Sequence, residues 1–557
     1  MLFEGPERRW RLDARDPGLA SDIARELGVA GLTARVLIAR GATSVREAAD
    51  LLSPADAEMA DAALLPDADK VVARVERALE RGESIAVHGH DDADGVTATA
   101  VMVEALRELG ASPTTYIPDR RREGHGLSMG EIDAFAEQSL DLLITVDSCV
   151  SERELIARAA DGGMDTIVTD HHEIPPELPD AVAIVNPKLP DSAFPYRFMA
   201  GAGVSLRLSE LLLRELGDGR GKGDPPPWGG EHWTRESLAL VTVGSIADRV
   251  PLTGENRKIV ARGLPAIPLT ERPGLRAMLE ESGIWGRDVE PSDVQEYLGP
   301  IFGRVSDGAG RNEALDALMT PDADVARAIV KRLVEERSRW RRDAAAAWKG
   351  ALSQVGEDAL RNERTLVFIE IEAPVGVLGY VAGRLADMTR RPSLVVAPKG
   401  DEVMAEARGP YGFDLVAAFR SMPELFLGYG GHPRAGGFSA PPSNVRQIEE
   451  RLRAYAEENP PAPPPRQIDA EADILDLSIE GARELERLWP FGFGNGRAIL
   501  LGRSVTADTV EKAREKGVHL GTPSRFGRAP KDVVYRVRAA DEVVLVNVIE
   551  TVEERSA

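Results

Sequence analysis

Residues 84–100 read SIAVHGHDDADGVTATA, and within them three aspartates and two histidines crowd into seven residues straight after an apolar run. Carboxylates packed this closely repel one another, so the cluster is costly unless water solvates it or a cation sits among it. The flanking pattern decides where the cluster lies. SIAVHG reads as a strand, GVTATAVMVEALRELG as a helix, TTYIP and DLLITVDS as strands, SERELIARAA as a helix and DTIVTDHH as a strand. Short apolar strands alternating with helices predict a parallel, doubly wound α/β sheet. Asp92 and Asp94 then follow one strand, Asp147 ends a second, and Asp170, His171 and His172 end a third. In open α/β sheets ligands gather at the carboxyl ends of strands, so these segments are expected to converge in space.

At 557 residues the chain is too long for one core, and its patterns divide it further. A helical segment is expected over 1–75, the first α/β domain over 76–275, and a helical connector over 276–358 that includes one long helix. A second α/β domain follows over 359–458. The Pro-rich ENPPAPPPRQ then leads to a β-rich domain over 466–557, read as a small barrel. Hydrophobic residues make up 43% and charged residues 29%, no apolar run reaches membrane-spanning length, and Cys149 is the sole cysteine, so no intrachain disulfide forms. The start, MLFEGPERRW, lacks the pattern of a signal peptide, so a cytoplasmic location is the expectation.

The net charge of -23 argues against general affinity for nucleic acid, which relies on Lys and Arg. Charge is uneven, however: residues 497–540 carry ten Lys or Arg against four Asp or Glu. A basic C-terminal module on an acidic body could hold a polyanion, although ordinary charge fluctuation produces the same count.

Carboxylates and imidazoles without cysteine suit Mn²⁺ or Mg²⁺ and leave Zn²⁺ open. Two such ions about 4 Å apart need a shared carboxylate, and Asp147, alone on its strand end, is the natural bridge. Such a pair lowers the pKa of a bound water and stabilises attacking and leaving oxygens, which points to phosphodiester hydrolysis. Each cluster alone reads as well as a solvated strand end or helix start. Of eight histidines in the chain, however, His88, His90, His171 and His172 lie at just two of these strand ends, which scattered histidines would not do.

From RGATSVREAADLLSP through HGHDDADGVTATA, TVDSCVS, IVTDHHE, MAGAGVSLRL and SIADRVPLTGENR to YGGHPRAGGF and PFGFGNG, the chain resembles the DHH phosphoesterase superfamily and, within it, the RecJ single-stranded-DNA exonucleases. The resemblance implies a DHH domain, a DHHA1 domain and a C-terminal oligonucleotide-binding (OB) fold. It implies Asp92, Asp94, Asp147, His171 and Asp248 as ligands of two Mn²⁺ or Mg²⁺ ions, Asp147 bridging, with His172 facing the scissile phosphate. It further implies substrate contacts from Arg120, His125, Arg311, Arg408, Gly431 and His432, and a basic groove with aromatics such as Phe526 and Tyr535 that either stack on bases or belong to the barrel core.

The chain departs from the family at several positions. GHDDADG stands where GDYDADG is usual, which makes His90 a candidate extra ligand in competition with His88. His125 stands where tyrosine is usual, Asp307 replaces an asparagine in RVSDGAGR, and Pro374 replaces a histidine. The activity implied is 5′ to 3′ hydrolysis of single-stranded DNA in recombination and repair, by a monomer with a single-strand-binding protein and a helicase as partners. Phosphodiester cleavage of short RNA or nucleotide signals is the enzymatic alternative, and a catalytically silent replication scaffold the non-enzymatic one.

Overall fold

The computed structural model describes residues 1–5, 8–118, 127–217, 233–302, 311–356, 365–462, 464–521 and 526–554. They fall into two compact units: Leu12–Glu335 with Ile468–Val552, and Met1–Arg11 with Glu336–Gln467 and Glu553–Ala557.

The first unit is built around the predicted parallel sheet, in the order Thr114–Tyr116, Ile85–His88, Leu142–Val146, Asp165–Thr169, Ala183–Val185. Its central strands Ile85–His88 and Leu142–Val146 are buried throughout, because helices cover both faces. The chain leaves Ile85–His88 toward one edge and returns on its other side as Leu142–Val146. The winding direction therefore reverses between these two strands, and a crevice opens at their carboxyl ends. The helix Ala93–Glu108 starts beside that crevice and is buried along all but its last two residues. It is apolar on every side because the helices Gly201–Leu216 and Trp233–Ala247 enclose it.

One charge is carried deep into this packing. Glu104 of the enclosed helix receives both terminal nitrogens of Arg272, Nη1 to Oε1 at 2.5 Å and Nη2 to Oε2 at 2.9 Å. Arg272 is wholly buried and also donates to the carbonyl of Leu318 at 3.1 Å.

The helices Pro17–Leu27, Gly31–Ala39 and Val45–Leu52 share a core with the C-terminal strands, in which Ile23 and Leu37 join Val533 and Tyr535. The C-terminal strands Ile499–Val505, Lys531–Ala540 and Val543–Glu554 pair antiparallel in that order. Among the described residues they form a sheet region consistent with the OB-like domain expected, without a closed barrel; alternating apolar residues mark a half-buried strand but carry no information on closure. Phe526 and Tyr535 are core residues, 8% and 0% exposed, and the Tyr535 hydroxyl donates to the carbonyl of Ala472 at 2.8 Å. They are not a stacking platform.

In the second unit the strands run Gly428–His432, Ala435–Ala440, Glu402–Arg408, Ser393–Lys399, Val367–Glu370, antiparallel except for the last pair. The first twelve residues hold two strands, Leu2–Glu4 and Arg9–Leu12, ahead of the expected helices. Phe3 and Trp10 are fully buried and pair across them, a two-residue signal too short to read among RRWRL. The predicted long helix runs Ala323–Val355. No helix among the described residues is long and apolar enough to cross a membrane.

Arg272→Leu is expected to destabilise the first unit by about 3–5 kcal/mol, because it leaves the Glu104 carboxylate buried without a partner. Replacing both residues by leucine should recover most of that loss. Urea midpoints of the two variants check this.

Candidate metal centre

The metal-ligand candidates read from the sequence meet in the crevice. Asp92 caps the helix Ala93–Glu108, its Oδ1 accepting the Gly95 N–H at 3.0 Å. Asp94, in the first turn of that helix, is buried and accepts the N–H of Gly201 at 2.7 Å and of Ala202 at 3.0 Å. Those donors open the helix Gly201–Leu216, so a helix N-terminus fixes both Asp94 oxygens. Asp147 follows Leu142–Val146 in the left-handed region, φ 59°, and is 1% exposed. A Cβ on Gly201 would lie 2.4 Å from its Oδ1, so the aspartate fits only beside a glycine. Asp248 sits just past the helix Trp233–Ala247.

Ligand atoms fall into groups within 4.8 Å of one another: His90, Asp92 and Asp147; Asp94, His171 and Asp248; and Asp147, His171 and His172. Asp147 and His171 each belong to two of the groups. His171 Nε2 lies 3.0 Å from Asp147 Oδ1 and 3.8 Å from both Asp94 Oδ2 and Asp248 Oδ2. Asp147 Oδ1 is buried and has no hydrogen bond among the described residues, so even the imidazole beside it is not aligned as a donor. A carboxylate oxygen and an imidazole nitrogen facing one spot are neutralised by a shared proton or by a bound cation.

The electrostatics agree. Burial, then the neighbouring Asp248, pushes Asp94 up to about 7, and burial, then Asp92, does the same to Asp248. Burial and Asp94 hold Asp147 well above the usual carboxylate range. Burial also opposes ionisation of Asp92, but the His90 hydrogen bond outweighs it, and the carboxyl stays below its ordinary value. Burial keeps His171 below its ordinary value, hence neutral and able to ligate.

Asp170 belongs to none of the ligand groups. It accepts the N–H of His171 at 2.7 Å, of His172 at 3.0 Å and of Val150 at 2.9 Å, and binds His172 Nδ1 at 2.7 Å. It thus clamps the loop that carries both histidines. Burial opposes charge on either partner, yet their mutual hydrogen bond prevails, holding Asp170 down at about 2 and raising His172 to about 8. His88 is also outside the ligand groups: it is fully buried, stacks on Tyr116 and lies 3.7 Å from Glu131.

Among the expected substrate residues, Arg120 and His125 lie outside the described residues. Arg311 is exposed and pairs with Asp316 at 3.0 Å. Arg408, Gly431 and His432 stand in the other compact unit. Arg408 donates to Glu406 at 3.0 Å and to the carbonyl of Ala407 at 2.8 Å. Gly431 has φ 128°, and a Cβ there would lie 2.4 Å from the Ala435 carbonyl oxygen, so the turn beside exposed His432 requires glycine. The reading from sequence alone missed the Gly201 and Ala202 clamp, whose only local signal is the small-residue run AGAG. It also missed Arg249, which lines a cavity of about 520 Å³ with Asp92, Asp94 and Asp248 at a left-handed φ of 62°.

Residues 84–243 match the DHH family, N-terminal domain. The single-stranded-DNA-specific exonuclease RecJ of Bacillus subtilis is 29% identical over 94% of this chain, and that of Salmonella typhimurium 31% identical over 83% of this chain and 81% of its own length. The crystal structure of RecJ from Thermus thermophilus in complex with Mn²⁺ superposes with a TM-score of 0.77 at 27% identity, covering 98% of this chain and 80% of that one. The match spans 65% of the Bacillus subtilis relative and 61% of the Thermus thermophilus sequence, just under two thirds of each. With carboxylates and histidines converging at the reversal of a parallel sheet, and with this identity spread along its length, the chain belongs to the RecJ family.

Proposed function

We propose that the chain is a metal-dependent exonuclease that hydrolyses phosphodiester bonds of single-stranded DNA from the 5′ end, in recombination and repair. The observation that carries the chemistry is the buried Oδ1 of Asp147, which has no hydrogen bond among the described residues and stands among facing ligand atoms. The donor set of carboxylates and imidazoles fits Mn²⁺ or Mg²⁺, two ions of which would be held by His90, Asp92, Asp94, Asp147, His171 and Asp248. Such ions would lower the pKa of a water and neutralise charge on the phosphate.

The remaining work falls to side chains. His172, kept cationic by Asp170, donates a hydrogen bond to a phosphate oxygen as charge develops on it. Asp170 and the Gly201 and Ala202 amides keep the ligands from moving apart. The strand preference is that of the relatives and the 5′ end is what the family resemblance implies, with Arg120, His125, Arg311, Arg408, Gly431 and His432 gripping the strand. A single-strand-binding protein and a helicase would supply the substrate to a monomeric enzyme.

Digestion of a long single strand labelled at either end, with Mn²⁺, tests the proposal. Short product should leave the 5′-labelled strand at once and be abolished by Asp147→Ala. Cleavage of dinucleotides or short RNA only would refute it.

Gly201→Ala forces the Asp147 carboxylate aside. A displacement on the order of 1 Å at a reacting centre costs about 100-fold. A kcat loss of that size with an unchanged far-ultraviolet spectrum is expected.

A carboxyl whose folded-state pKa is raised stabilises the fold below its unfolded value, near 3.8 here, and loses that contribution as pH climbs through the folded value, about 7 for Asp248. Metal-free Asp248→Asn should therefore melt above the wild type, with a gain that grows from about pH 4 to 7 and levels off beyond. Mn²⁺ should raise the wild-type melting temperature more than that of the variant. Calorimetry across this pH range checks both.

A further inference from the structure

In the second unit, lined by none of the residues assigned above, lies a cavity of about 670 Å³ bordered by Arg8, Arg9, Arg390, Arg391, Arg434 and Arg466. Two carboxylates, Glu4 and Asp387, face the same space, so cations outnumber anions three to one in a chain of net charge -23. The arginines come from separate segments. Arg9 projects from the N-terminal strand Arg9–Leu12, whose alternate residues Trp10 and Leu12 are buried. Arg390 and Arg391 follow the helix Leu378–Thr389, Arg434 lies in the turn between Gly428–His432 and Ala435–Ala440, and Arg466 opens the strand after the Pro-rich segment.

A helix C-terminus attracts cations, which accounts for Arg390 and Arg391. It does not account for four arginines from three other places converging on the same space. Tyr411 also lines the cavity; it is half exposed, and the Arg434 guanidinium lies 3.8 Å from its ring centre. A flat cationic pair beside dispersed guanidinium forks matches the two faces of a single-stranded polynucleotide, base and phosphate.

We propose that this cavity is a second grip for single-stranded nucleic acid, binding the phosphates of several successive nucleotides through its arginines and stacking a base on Tyr411. The proposal rests on the exonuclease reading for its ligand, but its residues are different from those proposed to hold metal or grip the strand there. Its effect is on long strands: a substrate of one nucleotide gains nothing from it.

The test uses the full chain in EDTA, so that no strand is cut, with a labelled oligothymidine of about 20 nucleotides, longer than usual single-strand site sizes of about 4 to 16. Arg9→Gln/Arg390→Gln/Arg466→Gln should bind it at least tenfold more weakly at about 50 mM salt. The logarithmic salt dependence should shallow by about 2, at about 0.7 per phosphate contact. Tyr411→Ala should lose at least fivefold. With Mn²⁺, hydrolysis of the p-nitrophenyl ester of thymidine 5′-monophosphate should be unchanged in both variants. Equal loss in the charge-matched control Arg25→Gln/Arg327→Gln/Arg446→Gln, no loss in the cavity variants, or competition by polyglutamate as effective as by oligothymidine would overturn the proposal. Absence of ester hydrolysis in the wild type counts against the exonuclease reading alone, since the binding measurement is independent of it.

Discussion

The structure depends on keeping mutually repelling carboxylates together, two of them in a place water barely reaches. Asp94 and Asp147 are 1% exposed, and Asp92 and Asp248 stand beside them. Left to themselves, such groups either take up protons or move apart. The fold prevents the second outcome: Asp94 is pinned by two amides of a helix N-terminus, and Asp92 is tied to Gly95 at its own helix start. Protons or divalent cations are then the remaining ways to neutralise the site, and the choice between them is set by pH near 7, where Asp94 and Asp248 titrate. Metal affinity and proton release are thus one equilibrium.

The same constraint explains the residues around the ligands. A glycine at 201 lets Asp147 enter, and the helix that begins there is what holds Asp94. Asp170, although it heads the DHH triplet, is spent on three backbone amides and His172 rather than on the ligand groups. Its hydrogen bond makes His172 a cation next to neutral His171, two adjacent imidazoles with opposite tasks set by what each one touches.

What could be read in the sequence follows from the range of each signal. The parallel sheet and the strand ends bearing Asp92, Asp147 and His171 were legible because helix and strand periods, and the position of a residue within them, are local. The contacts of His88 and His90 were not. Two residues apart, one completes a buried strand against Tyr116 and Glu131, while the other emerges beside Asp92. The Asp94 clamp joins residues 107 and 108 apart in sequence, a distance over which no periodicity speaks. Whether Phe526 and Tyr535 stack on bases or belong to the core stayed open for a related reason: composition names an aromatic, while burial is decided by the helices Pro17–Leu27 and Gly31–Ala39 from the opposite end of the chain.

Net charge is an equally poor guide to where an acidic protein can hold a polyanion. Residues 497–540 carry a cationic excess, but several of those cations are already engaged: Arg503 with Glu471 at 3.2 Å and Asp532 at 2.8 Å, Arg497 with Glu486, and Lys512 with Asp508 at 2.8 Å. Excess along a sequence is therefore not the same as potential in a groove. At physiological ionic strength charges more than about 8 Å apart are largely screened from one another. The acidic body of the protein then does little to repel a strand already lodged among the six arginines of the cavity. It acts at longer range and lower salt, slowing encounter rather than weakening the bound state. Selection for a single strand would rest on local geometry, on forks spaced for phosphates and a ring for a base, while the overall negative charge disfavours adhesion of nucleic acid anywhere else.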